Sequence, residues 1–166
     1  IFIVNCQLSI VNGQVITSPD KLLRIEISHQ DGLNFTLTDG FNQLVERADI
    51  GMVIETGSST IDVSKSTIKG KPSVKTVRED ITAPLYRQTR YTTTYNLAVV
   101  RFDCGVNLEF RLFDEGIAYR FVTTGIKGNY KVIDEKADIR FADDYVSYLP
   151  FTTNPKKPEA MAFQAT

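Results

Sequence analysis

The stretch V-N-L-E-F-R-L-F-D-E-G-I-A-Y-R-F-V, residues 106–122, decides the fold class. Val106, Leu108, Phe110 and Leu112 alternate with Asn107, Glu109 and Arg111, the period of a strand with one buried face. Asp114-Glu115-Gly116 then breaks the pattern, with Gly at the position that calls for positive φ. Ile117, Tyr119 and Phe121 resume the alternation, with Arg120 on the opposite face. The segment reads as a β-hairpin.

Working outward, the same period recurs on both sides. Upstream, Tyr91–Phe102 reads as a long strand, and Leu23, Ile25 and Ile27 alternate with Arg24, Glu26 and Ser28. Ser18-Pro19-Asp20 marks a turn before that strand, and Gln30-Asp31-Gly32 supplies a hairpin turn after it, because Asp-Gly takes positive φ readily. Leu33, Phe35 and Leu37 form the return strand. Gln43–Arg47 and Gly51–Glu55 read as two more short strands, so the first four strands form a meander. Thr60–Lys65 and Ser73–Arg78 alternate weakly, which suggests an irregular hairpin and a loop at Ile81–Pro84. Downstream, Tyr130–Ile133, Asp138–Phe141 and Tyr145–Leu149 read as short strands, and Ala160–Thr166 as a strand cut short.

Composition agrees. Ile, Val and Thr make up 46 of the 166 residues, against 11 Leu and 9 Ala. Branched side chains lose rotamer freedom in helices and fit a pleated surface. Ten to twelve strands with frequent turns favour an all-β, antiparallel two-sheet β-sandwich, since a long twisted sheet curls or splits. The length suits one domain. Residues 1–14 read as a tail, either a leader remnant or disordered, ahead of a sandwich at 15–166 that is incomplete at its C-terminal end. Ile1 in place of Met suggests processing or truncation. The near-repeat I-V-N-C-Q and I-V-N-G-Q in the tail has too few copies for a repeat fold.

Several classes drop out. The net charge of -1 leaves no electrostatic footprint for nucleic acid. No apolar run reaches the length of a membrane-spanning helix. One His and two Cys fall short of a structural zinc set. The carboxylate pairs Glu79-Asp80, Asp114-Glu115, Asp134-Glu135 and Asp143-Asp144 raise a glycosidase, which flanks its bond with two carboxyls. Neighbours in a strand point to opposite faces, however, so solvated turn and strand residues are the simpler reading. His29 reads as a surface or capping residue, Cys6 and Cys104 as poorly placed to pair, and Asn34-Phe35-Thr36 as a sequon inside a strand.

Leu85–Tyr91 (L-Y-R-Q-T-R-Y) differs in kind, with two Arg and two Tyr ahead of the longest strand. Aromatic rings and planar donors are what a sugar or partner-domain surface uses. Tyr86, Arg87, Arg90, Tyr91 and Tyr95 are therefore the candidate contacts. The plainer alternative is an edge strand whose Arg stems cover Tyr rings.

The order of these motifs carries a resemblance. S-P-D, a strand and D-G turn, Pro84–Tyr95, N-L-E-F-R-L-F-D-E-G-I-A-Y-R-F (Asn107–Phe121) and I-R-F-A-D-D (Ile139–Asp144) are similar to the N-terminal domain of glycoside hydrolase family 97. The chain departs from the family in lacking Trp, with Leu85-Tyr86 where members tend to show it. The resemblance implies a super-sandwich of the galactose-mutarotase-like kind, part of an α-glucosidase or α-galactosidase exported to the bacterial periplasm or cell surface. It implies a (β/α)8 catalytic barrel as partner on the same polypeptide, and Ca2+ only in the full-length enzyme. On that reading no catalytic and no metal residue falls in this chain, which is expected to be inactive alone. The alternative is a free-standing carbohydrate-binding sandwich module that contacts oligosaccharide. An unpaired sheet edge would also favour a homodimer.

Overall fold

The computed structural model of the chain describes residues 14–83, 89–146, 148–151 and 162–165. Among them the backbone forms twelve strands and one 3-10 turn. The strands are β1 (Gln14–Thr17), β2 (Leu23–Ser28), β3 (Asn34–Asp39), β4 (Asn42–Thr56), β5 (Thr60–Asp62) and β6 (Ser73–Thr82). They continue as β7 (Arg90–Arg101), β8 (Val106–Leu112), β9 (Ile117–Thr123), β10 (Tyr130–Phe141), β11 (Tyr148–Phe151) and β12 (Ala162–Ala165). One sheet runs β1-β2-β3-β4-β10 with β5 beside β4, a second runs β6-β7-β8-β9, and β11 pairs with β12. Every pairing is antiparallel. The two larger sheets make the expected sandwich.

The hairpin at 106–122 forms as its period dictates, with Val106, Leu108, Phe110 and Leu112 all fully buried. Its turn closes by Phe113 N–H donating to Gly116 C=O at 2.8 Å, yet Gly116 does not adopt the positive φ expected of it. Gly32, by contrast, takes φ +84° in the β2–β3 turn. β1 to β4 do form a meander, with Ile27 opposite Phe35 and Ile25 opposite Leu37, but its last member replaces two expected strands with one.

Three segments run longer than their local patterns suggest. The two short strands at Gln43–Arg47 and Gly51–Glu55 are one strand of 15 residues, β4. Asp49, which interrupts the apolar pattern, is held by Arg47, whose Nε lies 3.0 and 3.1 Å from its two carboxylate oxygens. The weak alternation at Ser73–Arg78 continues to Thr82 through pairing with β7. Tyr130–Ile133 and Asp138–Phe141 are joined into β10 by its ladder with β4, which absorbs register shifts between Val132 and Asp134 and between Arg140 and Phe141. In place of a simple hairpin, β5 leads into a 3-10 turn at Val63–Lys65. Asp62 caps it by accepting from Ser64 N–H at 3.1 Å.

The core is one cluster drawn from both sheets. Phe35 of β3 meets Phe110 of β8 edge-on, ring centres 5.3 Å apart, and Tyr119 of β9 lies 6.1 Å from Phe35. Asn96 Nδ2 of β7 donates across the sandwich to the Thr17 carbonyl of β1 at 2.8 Å. These contacts set β1 over β7 and β3 over β8 and β9, so the sheets are offset. β6 overhangs one side and β10 the other.

Two joints lock the ends. Ser18, fully buried, accepts from Leu23 N–H at 3.0 Å and donates to Asp20 Oδ1 at 2.5 Å. Asp20 N–H in turn donates to Asp114 Oδ1 at 3.0 Å, tying the first turn to the β8–β9 turn. At another point Gly105, with φ +80°, lies against Gly125, where an added Cβ would meet Gly125 Cα at 3.0 Å. Gly125 N–H donates to the Gly105 carbonyl at 2.9 Å.

Replacing Ser18 with Ala leaves the buried Leu23 N–H without its side-chain acceptor. The expected loss is about 1–3 kcal/mol, read by urea denaturation. Hydrogen bonding from Arg47 holds the Asp49 carboxyl below its ordinary value of 3.8. Its contribution to stability is complete above that value and disappears as pH falls through the lowered one. Asp49→Asn should flatten the acid limb of the stability profile, with little change in its slope above pH 5 or so.

Candidate functional site

Tyr86 and Arg87 lie outside the described residues. Arg90, Tyr91 and Tyr95 all lie on β7, and the pairing of β7 gives them a shared setting. β6 pairs with β7 from Ser73–Val99 to Thr82–Arg90, whereas β8 pairs with β7 only from Asn96 to Arg101. The six pairs from Val77–Tyr95 to Thr82–Arg90 thus form a two-stranded ribbon beyond the body of the sheet, closed by Ala83 N–H donating to Thr89 C=O at 2.9 Å. A ribbon with no third strand is marginal in water by itself.

Strand parity divides the ribbon into two faces. One carries Val77, Glu79, Ile81, Tyr91, Thr93 and Tyr95. The other is polar, and there Thr92 Oγ1 donates to Asp80 Oδ1 at 2.6 Å. Tyr91 is 44% exposed, while Tyr95 is 2% exposed. Tyr95 is on the face away from the core, and its burial has a local cause. Phe113 packs on it at 5.0 Å between ring centres, and the Arg111 guanidinium sits 4.8 Å above its ring. Arg111 Nη1 is also 3.4 Å from Glu79 Oε1. Burial pushes the Tyr95 hydroxyl up, with Arg111 opposing and Glu79 reinforcing. Beside this group, Arg120 Nε donates to Glu109 Oε2 at 2.9 Å.

Chemically, the base of the ribbon is a buttress. The Arg111 guanidinium is shared between a carboxylate and a ring, and Tyr95 has no open face to offer a ligand. What stands open to solvent is the ribbon's outer part, where Ile81, Tyr91, Asp80 and Thr92 line an open depression of about 360 Å³. A ring edge beside paired polar groups is a surface suited to sugar hydroxyls or to a partner domain. The sequence singled out Tyr95 but missed Arg111, Glu79 and Phe113, which enclose it. The register of N-L-A-V-V against N-L-E-F-R-L was the signal that places them together.

The other candidates are also placed. Glu79 and Asp80 point to opposite faces of β6, reaching Arg111 and Thr92 respectively. Glu135 shares a face with Met52 and Asp134 with Val53, again opposite. Asp114 is occupied by Asp20 N–H. Among the described residues no group of three or more His, Cys, Asp or Glu is gathered as an ion site. His29, read as a surface residue, is half-buried against Phe102, ring centres 6.1 Å apart. Asn34 of the sequon is buried and donates to Gly32 C=O at 2.9 Å, which removes it from the surface. Cys104 is half-buried against the core, and Cys6 lies outside the described residues. No helix among the described residues is long and apolar enough to cross a membrane.

Comparison with known proteins follows the same outline. The family model described as glycosyl-hydrolase 97 N-terminal matches residues 16–164. The chain is 33% identical over 155 residues to a retaining alpha-galactosidase of Bacteroides thetaiotaomicron, a match covering 92% of this chain and 23% of that protein. In fold it is similar to a beta-arabinopyranosidase, with TM-score 0.66 at 18% identity, over 84% of this chain and 23% of that one. It is also similar to a glycoside hydrolase family 97 enzyme from Pseudoalteromonas sp. strain K8 solved with acarbose, with TM-score 0.67 at 15% identity, over 82% and 22%. The chain thus spans less than a quarter of the length of these relatives.

The two tyrosines should separate cleanly in a stability measurement. Tyr95→Ala empties a buried ring site and strands Arg111, and should lose about 3 kcal/mol. Tyr91→Ala touches an exposed ring and should change stability by no more than about 0.5 kcal/mol.

Proposed function

Because the chain belongs to the glycosyl-hydrolase 97 N-terminal family, we propose that it is the non-catalytic β-sandwich of an exported α-glycoside hydrolase, of the α-glucosidase or α-galactosidase type. In this role it supports a (β/α)8 catalytic barrel on the same polypeptide. The observation that carries the reading is the pairing of a family match over residues 16–164 with a span of only 23% of the alpha-galactosidase it resembles. The chemistry of the described residues supports it. Glycoside hydrolysis needs two carboxyls set about 5–10 Å apart across the scissile bond, and the strand pairs here diverge to opposite faces. Calcium, where the full-length enzyme uses it, would be held by residues outside the described set.

The projecting ribbon supports a place for the barrel. Its Tyr91 and Ile81 face gives an apolar contact and its Thr-rich face a polar one, and docking would relieve the marginal stability of two lone strands. Work on polysaccharide accords with export to the periplasm or cell surface, since polymers do not enter the cell. A second reading rests on the open depression beside Tyr91, which would take an oligosaccharide whether or not a barrel is attached.

The pure 166-residue chain should show no turnover of nitrophenyl α-glucoside or α-galactoside, and a longer protein carrying the barrel should hydrolyse one of them. Turnover by the short chain would overturn the proposal. Calorimetry with starch, pullulan and galactosides checks the second reading: heat lost on Tyr91→Ala supports it, and no heat with any of them sets it aside.

A further inference from the structure

The two overhanging strands of the sandwich are built differently. The inward face of β6 reads Val74, Thr76, Arg78, Asp80 and Thr82, four polar residues of five, and suits water. The inward face of β10 is set by its partners on β4. Val132 lies beside Ile54, Ala137 beside Ile50, Ile139 beside Ala48 and Phe141 beside Val45, and those β4 residues are all buried in the core. The outward face of β10 carries Asp134, Lys136, Asp138 and Arg140. Glu135, beside Met52, is the one charge on the inward face; the rest of β10 has the apolar-in, charged-out alternation of a strand with one face covered. Among the described residues nothing covers this face, and Val132 is 47%, Ile139 48% and Phe141 50% exposed.

The opposing sheet stops one strand short of it. Among the described residues β9 is the last strand of that sheet, and its inward Ile117, Tyr119 and Phe121 are only half-buried. The corner is pinned at one end, where Thr123 Oγ1 and Tyr130 Oη hydrogen-bond at 2.8 Å. Edge strands left to solvent are normally guarded by charge, proline or bulges. β10 has such guards, with two register shifts and alternating Lys, Asp, Glu and Arg. β9 reads I-A-Y-R-F-V-T, with one charge, no proline and an unbroken ladder to β8. Its free edge is the unguarded one.

We infer that β9 receives one further β-strand, which extends the second sheet and lays alternate apolar side chains on Val132, Ala137, Ile139 and Phe141. The strand comes from polypeptide of the same protein outside residues 1–166. This source rests on the function proposed above, and the 23% span of the alpha-galactosidase relative leaves ample chain for it. A single strand satisfies both deficits, the open main-chain edge of β9 and the bare face of β10.

Hydrogen exchange on the 166-residue chain and on the longer protein tests the inference. Alternate amides of β9 should exchange freely in the short chain and slow at least about 100-fold in the longer one. Ile139→Lys and Phe141→Lys should leave the melting temperature of the short chain unchanged and lower that of the longer protein. Free exchange of β9 in both would overturn the inference, as would a reading frame that stops at Thr166. Protection in the short chain that rises with concentration, in step with a dimer by light scattering, would overturn it in favour of a second copy. The readouts separate from those of the hydrolase proposal: protected β9 in a longer protein inactive on every α-glycoside keeps the strand and removes the enzyme. An active longer protein with unprotected β9 does the reverse.

Discussion

Three rings hold the two sheets together. Phe35 enters from the meander, Phe110 and Tyr119 from the β8–β9 hairpin, and the edge-on packing of Phe35 against both fixes the spacing and the lateral position of one sheet on the other. Aromatic contacts of this kind are directional, so they select an arrangement as well as bury area. With Phe35 seated over β8 and β9, Thr17 is left over β7, where Asn96 reaches its carbonyl. The same seating pushes β10 and β6 past opposite margins. The shape of the outer surfaces therefore follows from the position of a few core rings.

Much of this was legible in the sequence because the informative strands have one wet face and one dry one. Val106–Val122 and Leu23–Leu37 alternate cleanly on both arms of their turns, and both hairpins formed where that alternation placed them. The errors fell on strands whose neighbours supply what their own residues lack. β4 looked broken at Asp49 because an isolated carboxylate is a poor strand residue, and only the Arg47 fork and strands on both sides carry the ladder through it. β10 looked broken across Asp134–Lys136 because both its faces are exposed in this chain, leaving little apolar signal between Ile133 and Ile139. For the candidate site, Tyr91 and Tyr95 look alike in sequence. What separates them is the end of β8, which brings Arg111 and Phe113 to one and stops short of the other. That is a register effect over some twenty residues, beyond the reach of local pattern.

The role proposed for the chain gives the buttress at Tyr95 a context. An element that supports another domain needs a stiff base and a compliant contact. Arg111, held between Glu79 and the Tyr95 ring, ties β6, β7 and β8 into one unit beneath the ribbon. Beyond it the ladder narrows to two strands. Support thus falls along a single hairpin, from a fully packed core through a salt-bridged base to the two-stranded ladder that ends at Thr82 and Arg90.

The contact between Gly105 and Gly125 has a consequence of a different kind. The β7–β8 turn and the β9–β10 connection touch main chain to main chain at the two glycines, with the Thr124 hydroxyl 3.4 Å from the Gly105 carbonyl beside them. Neither position has spare volume that a second mutation could create, since there is no neighbouring bulk to trim. Gly105 is bound twice, by its dihedral angle and by the contact, and Gly125 by the contact only. A side chain at either position therefore has to push the two connections apart, and the costlier of the two sites is Gly105.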